Sequence, residues 1–238
     1  MAKILLLGGT GFIGQPLLKK LEEKHSLKIM IHNSKIKTEA EKFKGNILDK
    51  MSFFNEIRND ETIINLLGQF TPNESDYIKS NIVGGLNLLN SCIEKKIKQI
   101  ILISSINVYG ENLNIPSKEN DPLNPISSYG QIKMITEQIY KHFSKMYGIN
   151  ITVLRLAGIY GTNQDKGFLA QIIKSVKDKT IIPICYNKGE QQRDLLYIDD
   201  AINCIMNAVD CQLSGFNTFN VSSGKRYSMK AVSYTHLR

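Results

Sequence analysis

Lys3-Ile-Leu-Leu-Leu-Gly-Gly-Thr-Gly-Phe-Ile-Gly14 decides how this chain is read. Ile4 to Leu7 form a short apolar, strand-like run, and Gly8, Gly11 and Gly14 follow in the spacing GxxGxxG. An amphipathic helix is predicted next, from about Phe12 to Lys24, and a second strand from Leu27 to Ile31. Glycines at this junction let the backbone turn tightly and come close to a pyrophosphate. The charge of that group then meets free N–H groups at the helix N-terminus. A glycine motif alone is weak evidence. The strand before it, the helix after it and a second strand on schedule make Gly8, Gly11 and Gly14 candidate cofactor-binding residues.

Outward from this stretch the same alternation continues. Further strands are predicted at Thr62–Leu67, Gln99–Ser104 and Asn150–Arg155, with helices at Asp76–Lys95 and Ser127–Tyr147. In the first of these helices Ile78, Ile82, Leu86, Leu89 and Ile93 recur at spacings of three and four. Strands alternating with helices imply βαβ units around a parallel sheet, the doubly wound α/β (Rossmann) class. Glu111–Pro125 carries Pro116, Pro122 and Pro125 and reads as a surface loop. After about Gly161 the pattern loosens, so residues 1–161 are expected to form the dinucleotide-binding domain. Residues 162–231 are expected to form a smaller substrate-binding lobe, interleaved with elements returning to the sheet. The last seven residues, 232–238, resemble a translated transposon-end adapter used in sequencing libraries. They are expected to be a non-native tail on a truncated C-terminal lobe.

Composition narrows the function classes. The chain has 238 residues, of which 42% are hydrophobic and 22% charged, the profile of a globular domain with an ample core. No run approaches the ~18 apolar residues of a membrane span, and no signal peptide is evident, so a cytoplasmic enzyme with no membrane partner is expected. The net charge of +8 comes from 30 Lys+Arg against 22 Asp+Glu. It is spread along the chain without aromatic-basic interleaving, so nucleic acid is not an expected partner. Cys92, Cys185, Cys204 and Cys211 form no CxxC pair and have no His at ligand spacing. Neither a disulfide nor a metal site is expected.

The catalytic candidates lie downstream. Tyr129 and Lys133 are spaced i, i+4 near the start of a predicted helix and so share a face. A phenol with pKa about 10 is a poor base at neutral pH, and a neighbouring ammonium favours its phenolate. Ser105 follows directly on the predicted strand Gln99–Ser104 and is placed to direct its hydroxyl to the same point. At the end of the second strand an acid would hold the ribose of NAD. The residues there are His32-Asn33-Ser34-Lys35. Asn33 is able to bond a ribose hydroxyl. Lys35 or Lys37 would attract a 2′-phosphate, or are simply solvated loop charges, so NAD and NADP both stay open.

Taken together these pieces resemble the extended short-chain dehydrogenase/reductase family, in its NAD-dependent epimerase/dehydratase branch. The resemblance runs over residues 3–231. It rests on GGTGFIG, Gly45-Asn46-Ile47, Asn65-Leu66-Leu67-Gly68, the Asn81–Asn87 stretch, Ser104–Gly110, Tyr129-Gly-Gln-Ile-Lys133, Leu154–Gly161 and Arg193–Asp200. It implies that Phe12 and Ile13 meet the pyrophosphate through their backbone. Asn46 and Ile47 would contact adenine, Leu66 and Leu67 would flank the cofactor, and Asn81 would support that region. Tyr129 would be the acid/base. Lys133 would bind the nicotinamide ribose and lower the Tyr129 pKa. Ser105 would hold the reacting oxygen, and Arg193 would pair with a nucleotide-sugar diphosphate. The implied activity is NAD(P)-dependent epimerisation of a nucleotide sugar in a homodimer.

Three departures bear on this. Ile106-Asn107 stand where dehydratases carry an Asp-Glu pair. Gly158 replaces an Asn that touches the diphosphate in many sugar epimerases. The acid after the second strand is missing. An NADPH-dependent keto-sugar reductase is therefore a rival reading. A non-catalytic dinucleotide-binding assembly or RNA-associated factor is a rival from another class, opposed by the intact Ser105, Tyr129 and Lys133.

Overall fold

A computed structural model describes residues 1–68, 73–111, 116–165, 167–178 and 189–235. The chain divides into two units. The first comprises Met1–Arg155 and Ile202–Asn220, the second Leu156–Ala201 and Val221–Arg238.

The first unit is built on seven strands: β1 (Lys3–Leu7), β2 (Ser26–Ile31), β3 (Glu41–Lys44), β4 (Glu61–Asn65), β5 (Gln99–Ser105), β6 (Asn150–Leu156) and, further along the chain, β9 (Phe216–Val221). Their order is β3-β2-β1-β4-β5-β6-β9, and the pairs from β3 through β5 are parallel. Central strands have both faces covered, which is why they read as unbroken apolar runs rather than alternating ones. β5 is buried at every position. The chain moves outward from β1 to β3 and then returns to place β4 on the other side of β1. The strand order thus reverses beside β1, directly below the glycine turn, and such a switch point opens a crevice at the strand C-termini.

Helices α1 (Gly14–Glu22), α2 (Met51–Phe54), α3 (Glu74–Ile78), α4 (Gly84–Glu94) and α5 (Ser128–Tyr147) belong to this unit. One face of the sheet packs Leu5, Ile63, Ile100 and Leu102 against Leu88, Leu89 and Tyr140. The 20-residue α5 is sharply bounded. The Ser127 hydroxyl caps its start by accepting from Gly130 N, and Gly148 ends it at φ +70°.

The helix predicted over Asp76–Lys95 is not continuous. A π-helical turn at Lys79–Val83 separates α3 from α4. Asn81 and Ser80 supply the reason, because Asn81 Nδ2 donates to the Tyr77 carbonyl at 2.8 Å and Ser80 Oγ to the same carbonyl at 3.1 Å. That is the acceptor which the Asn81 backbone N–H would take in an α-helix, and side-chain competition of this kind loosens the turn.

The second unit contains β7 (Gly158–Tyr160), α6 (Phe168–Lys177), β8 (Gln192–Tyr197), β10 (Arg226–Ser228) and α8 (Met229–Thr235); α7 (Ile198–Asp210) spans its junction with the first unit. β7 pairs with β8 rather than with the large sheet, in a small sheet ordered β10-β8-β7. The division therefore falls at Arg155, six residues before the expected boundary at residue 161. Leu169, Ile172, Met229 and Val232 form a separate small core. Val232 belongs to the expected tail, whose residues 236–238 lie outside the described residues, as do Cys185 and positions 112–115 of the proline-rich loop. Among the described residues no helix is long and apolar enough to cross a membrane.

Four phenols of the first unit are held above their ordinary values. Burial is the main cause at Tyr77, Tyr109, Tyr129 and Tyr140. A raised folded-state value means that the folded chain keeps protons the unfolded chain releases. The resulting stability is complete below about pH 10 and is lost as pH rises through the folded values. Lys133, pushed down from 10.5 to about 8 by burial, acts oppositely between those values, one group against four. The melting temperature should therefore fall steeply above about pH 10, with the tyrosinate absorbance of these four residues appearing only as the fold is lost. Full ionisation of the tyrosines in a folded protein would contradict the burial.

Candidate active site

The glycine turn stands at the C-terminal end of β1, as the sequence predicts. Gly11 N donates to the Gly8 carbonyl at 3.1 Å. A Cβ at Gly14 would lie 2.3 Å from the Gly8 oxygen and 2.6 Å from Gly9 Cα, so only glycine lets α1 start this close to the turn. Ile13 precedes α1 and offers no side-chain cap. No side-chain oxygen therefore caps the helix start; Gln15 N donates to the Gly11 carbonyl at 3.0 Å and Leu17 N to that of Ile13 at 3.2 Å, and Pro16 has no N–H. Phe12 and Ile13 are half-buried. Gly14→Ala is expected to weaken dinucleotide affinity at least tenfold while leaving the large sheet formed. Calorimetric titration with NAD, alongside circular dichroism, checks this.

Across the switch point, β4 ends in Asn65. Its side chain is a brace, accepting from Leu67 N at 3.0 Å and donating to the buried Tyr140 hydroxyl at 2.9 Å. Leu66 N bonds back to the Leu7 carbonyl, so Leu66 and Leu67 lie beside the glycine turn. Gly68 follows at φ +101°, against Asn81 Oδ1 and Lys133 Nζ. Asn81 and Lys133 therefore meet at one place.

Ser105, Tyr129 and Lys133 converge here. Ser105 ends β5, and its hydroxyl accepts from Asn107 N at 3.2 Å, capping the 3₁₀ turn Ile106–Val108. A hydrogen bond joins Ser105 to the Tyr129 hydroxyl. Gly130 permits that approach. A Cβ there would stand 2.4 Å from the Asn107 oxygen, so any larger residue would push α5 off the turn. One helical turn on, the Lys133 ammonium donates to the Ile103 carbonyl at 3.2 Å and to that of Leu67 at 3.4 Å. Tyr77 stacks on Tyr129 with ring centroids 5.5 Å apart.

The acid–base balance corrects one expectation. Burial holds the Tyr129 phenol above its ordinary value, with the Ser105 hydrogen bond working against it. The lowering expected from Lys133 does not prevail among the protein's own groups. Lys133 is itself buried, which pushes its ammonium down to about 8, with Glu137 opposing.

A hydroxyl pair beside a buried lysine, at the strand ends that flank a glycine turn, is suited to moving a proton at a carbon that exchanges hydrogen with a dinucleotide. The model of the NAD dependent epimerase/dehydratase family matches residues 4–222. The chain belongs to this family. It is 30% identical over 247 residues to a provisionally named UDP-glucose 4-epimerase of Methanocaldococcus jannaschii, covering 96% of this chain and 79% of that one. It is 25% identical over 258 residues to the UDP-glucose 4-epimerase of Lactobacillus helveticus, covering 95% and 78%. The crystal structure of the UDP-glucose 4-epimerase of Thermotoga maritima, solved with UDP-glucose, superposes with a TM-score of 0.87 at 27% identity. That match covers 98% of this chain and 80% of the other.

Membership in this enzyme family favours the catalytic over the purely binding reading. Other candidates are placed as follows. Asn33 is exposed after β2, with Lys35 and Lys37 nearby in sequence and also exposed. Asn46 Oδ1 accepts from Leu48 N at 3.0 Å, leaving its second lone pair for an adenine amine. Ile47 is buried, and its carbonyl accepts from Asn87 Nδ2 at 3.0 Å. Arg193 belongs to the second unit, exposed on β8. Beside it, Asp194 accepts from Ser223 N, Ser223 Oγ and Gly224 N, each at 2.9 Å. Sequence reasoning missed Asn65, Tyr77 and Glu137 as parts of the site. Glu137 was legible in principle, since it continues the four-residue spacing of Tyr129 and Lys133.

Proposed function

We propose that the chain is a nucleotide-sugar 4-epimerase that retains NAD and works through Ser105, Tyr129 and Lys133. The observation carrying this reading is the hydrogen bond between Ser105 and Tyr129 beside buried Lys133, at the strand ends that flank the glycine turn. The similarity to UDP-glucose 4-epimerases supports it. The cradle at Gly14 and the uncapped start of α1 fit the pyrophosphate of a dinucleotide. Gly8, Gly11, Phe12 and Ile13 would hold that group, Asn46 and Ile47 the adenine, Asn33 a ribose hydroxyl, and Lys133 the nicotinamide ribose, with Leu66, Leu67 and Asn81 lining the same end.

NAD, when bound, supplies the acceptor for the sugar's hydrogen and, through its positively charged ring, an attraction for phenolate at Tyr129. Ser105 holds the reacting sugar oxygen by hydrogen bonding. Tyr129 takes the hydroxyl proton of the sugar and later returns it, with the Tyr77 ring fixing the plane of the phenol. Lys133 keeps a positive charge close to that proton transfer. Arg193 is assigned the sugar diphosphate, which suits its charge and forked donors. A homodimer through α4 and α5 is part of the reading, consistent with exposed Val83, just before α4, and exposed Ile135 and Met146 on α5.

The deciding experiment is to denature the purified protein, identify any released nucleotide by mass spectrometry, and assay interconversion of UDP-glucose and UDP-galactose. Near-stoichiometric NAD with interconversion is the expected result. Asn33 in place of an acid, with Lys35 and Lys37 exposed after it, favours a second reading, an NADPH-dependent keto-sugar reductase. Tighter binding of NADPH than NADH, with no retained nucleotide and no interconversion, would establish that reading instead.

A further inference from the structure

Lys133 and Glu137 stand one turn apart on the buried face of α5, at 4% and 3% exposure. The lysine's direct hydrogen bonds go to two neutral carbonyls, those of Ile103 and Leu67. Neutral acceptors compensate a buried ammonium only in part. Four residues on, Glu137 places a carboxylate on the same buried face of α5, and it opposes the downward push of burial on Lys133.

That carboxylate is held from three sides. Arg155, on β6, gives its Nε at 3.2 and 3.1 Å and its Nη2 at 2.7 Å. The Ser104 hydroxyl, from the residue preceding Ser105, donates to one of the oxygens that Nε also reaches. Arg155 is fixed in turn: its Nη1 donates to the Tyr109 hydroxyl at 2.7 Å and to the Glu119 carbonyl at 3.1 Å. Its guanidinium lies 4.9 Å from the centre of the Tyr109 ring. Lys133 thus meets the Ile103 carbonyl of β5 and the Leu67 carbonyl beyond β4 and shares the Gly68 approach with Asn81; Glu137 and Tyr129 lie on its own helix, Tyr77 stacks on Tyr129, and Ser104 and Ser105 follow Ile103 on β5. Arg155 and Tyr109 stand behind Glu137. An Arg–Glu pair that served packing alone would need no particular register. This one sits one turn from the lysine and one residue from the serine of the proposed site.

We propose that Glu137 is a positioning residue for Lys133: its carboxylate, locked by Arg155 and Ser104, keeps the buried ammonium charged where Tyr129 works. The inference rests on the roles proposed above for Tyr129 and Lys133.

The test reads Lys133 directly. Protein labelled with 13Cε-lysine is titrated from pH 6 to 11, and the Lys133 signal is assigned by its loss in Lys133→Met. In Glu137→Gln the Lys133 midpoint should fall by about one pH unit, and Glu137→Asp should restore most of it. The alkaline limb of kcat should move to lower pH with KM little changed. An unshifted Lys133 midpoint in a Glu137→Gln protein with native circular dichroism would overturn the proposal. If that variant does not fold, the wild-type chain decides. The 13Cδ shift of Glu137 should move with the Lys133 midpoint, and a Glu137 signal that is flat through that range overturns the proposal equally. The titration needs no substrate. A wild-type chain inactive on every nucleotide sugar would refute the epimerase reading, while the midpoint would still judge Glu137.

Discussion

Tyr129→Phe should leave NAD bound and turnover nearly abolished. The substitution keeps the aromatic ring, and so keeps the stack on Tyr77 at 5.5 Å between centroids. What it removes is the hydroxyl bonded to Ser105, the group proposed to carry the proton. Loss of a general acid/base costs about 10²–10⁴-fold in rate. The glycine turn proposed to hold the pyrophosphate lies on other elements and is untouched, so affinity for NAD measured by calorimetry should change little. Steady-state kinetics on the epimerised sugar tests this directly: turnover within a few-fold of wild type would remove Tyr129 from the chemistry. Ser105→Ala should be milder, because the Tyr129 hydroxyl remains to exchange the proton.

The second large effect is on stability. Arg155→Met should destabilise the fold by about 3–5 kcal/mol, the usual consequence of removing one partner of a buried ion pair. Glu137 would stay behind at 3% exposure, holding only the Ser104 hydroxyl of its present donors. Tyr109 would also lose the 2.7 Å bond from Nη1. For a chain of this size the melting temperature should drop by on the order of 10 °C. Replacing both partners, Arg155→Met with Glu137→Leu, should recover much of the loss, because no buried charge is then stranded. Urea unfolding of the two variants measures the difference. A single-variant loss below about 1 kcal/mol would show that water reaches the pair.

The two substitutions probe features that differ in how visible they are along the chain. Tyr129 and Lys133 stand out at once, because four-residue spacing on a helix is a local property. The bounds of β1 match the apolar run Lys3–Leu7 for the same reason, and α5 begins one residue inside the predicted Ser127–Tyr147. The interrupted helix at Asn81 was not visible. Its cause is two side chains, Ser80 and Asn81, taking one carbonyl, that of Tyr77, and Asn in that position also fits an unbroken helix. Arg155 was not visible as a partner of Glu137 either. It ends what reads as the strand Asn150–Arg155, and the two residues become neighbours only because α5 packs beside β6.

Local sequence alone therefore determined the strand–glycine turn–helix unit, the alternating α/β pattern and the shared face of Tyr129 and Lys133. Each follows from backbone periods of two and 3.6 residues and from what glycine alone permits. Tertiary structure decided which groups meet across elements: Ser105 with Tyr129, Tyr77 on the same ring, and Arg155 with Glu137 behind Lys133. It also decided the acid–base character of the site. Burial is the dominant influence on Tyr129 and Lys133, and burial is set by the packed whole, through the water it excludes, rather than by any neighbour in sequence.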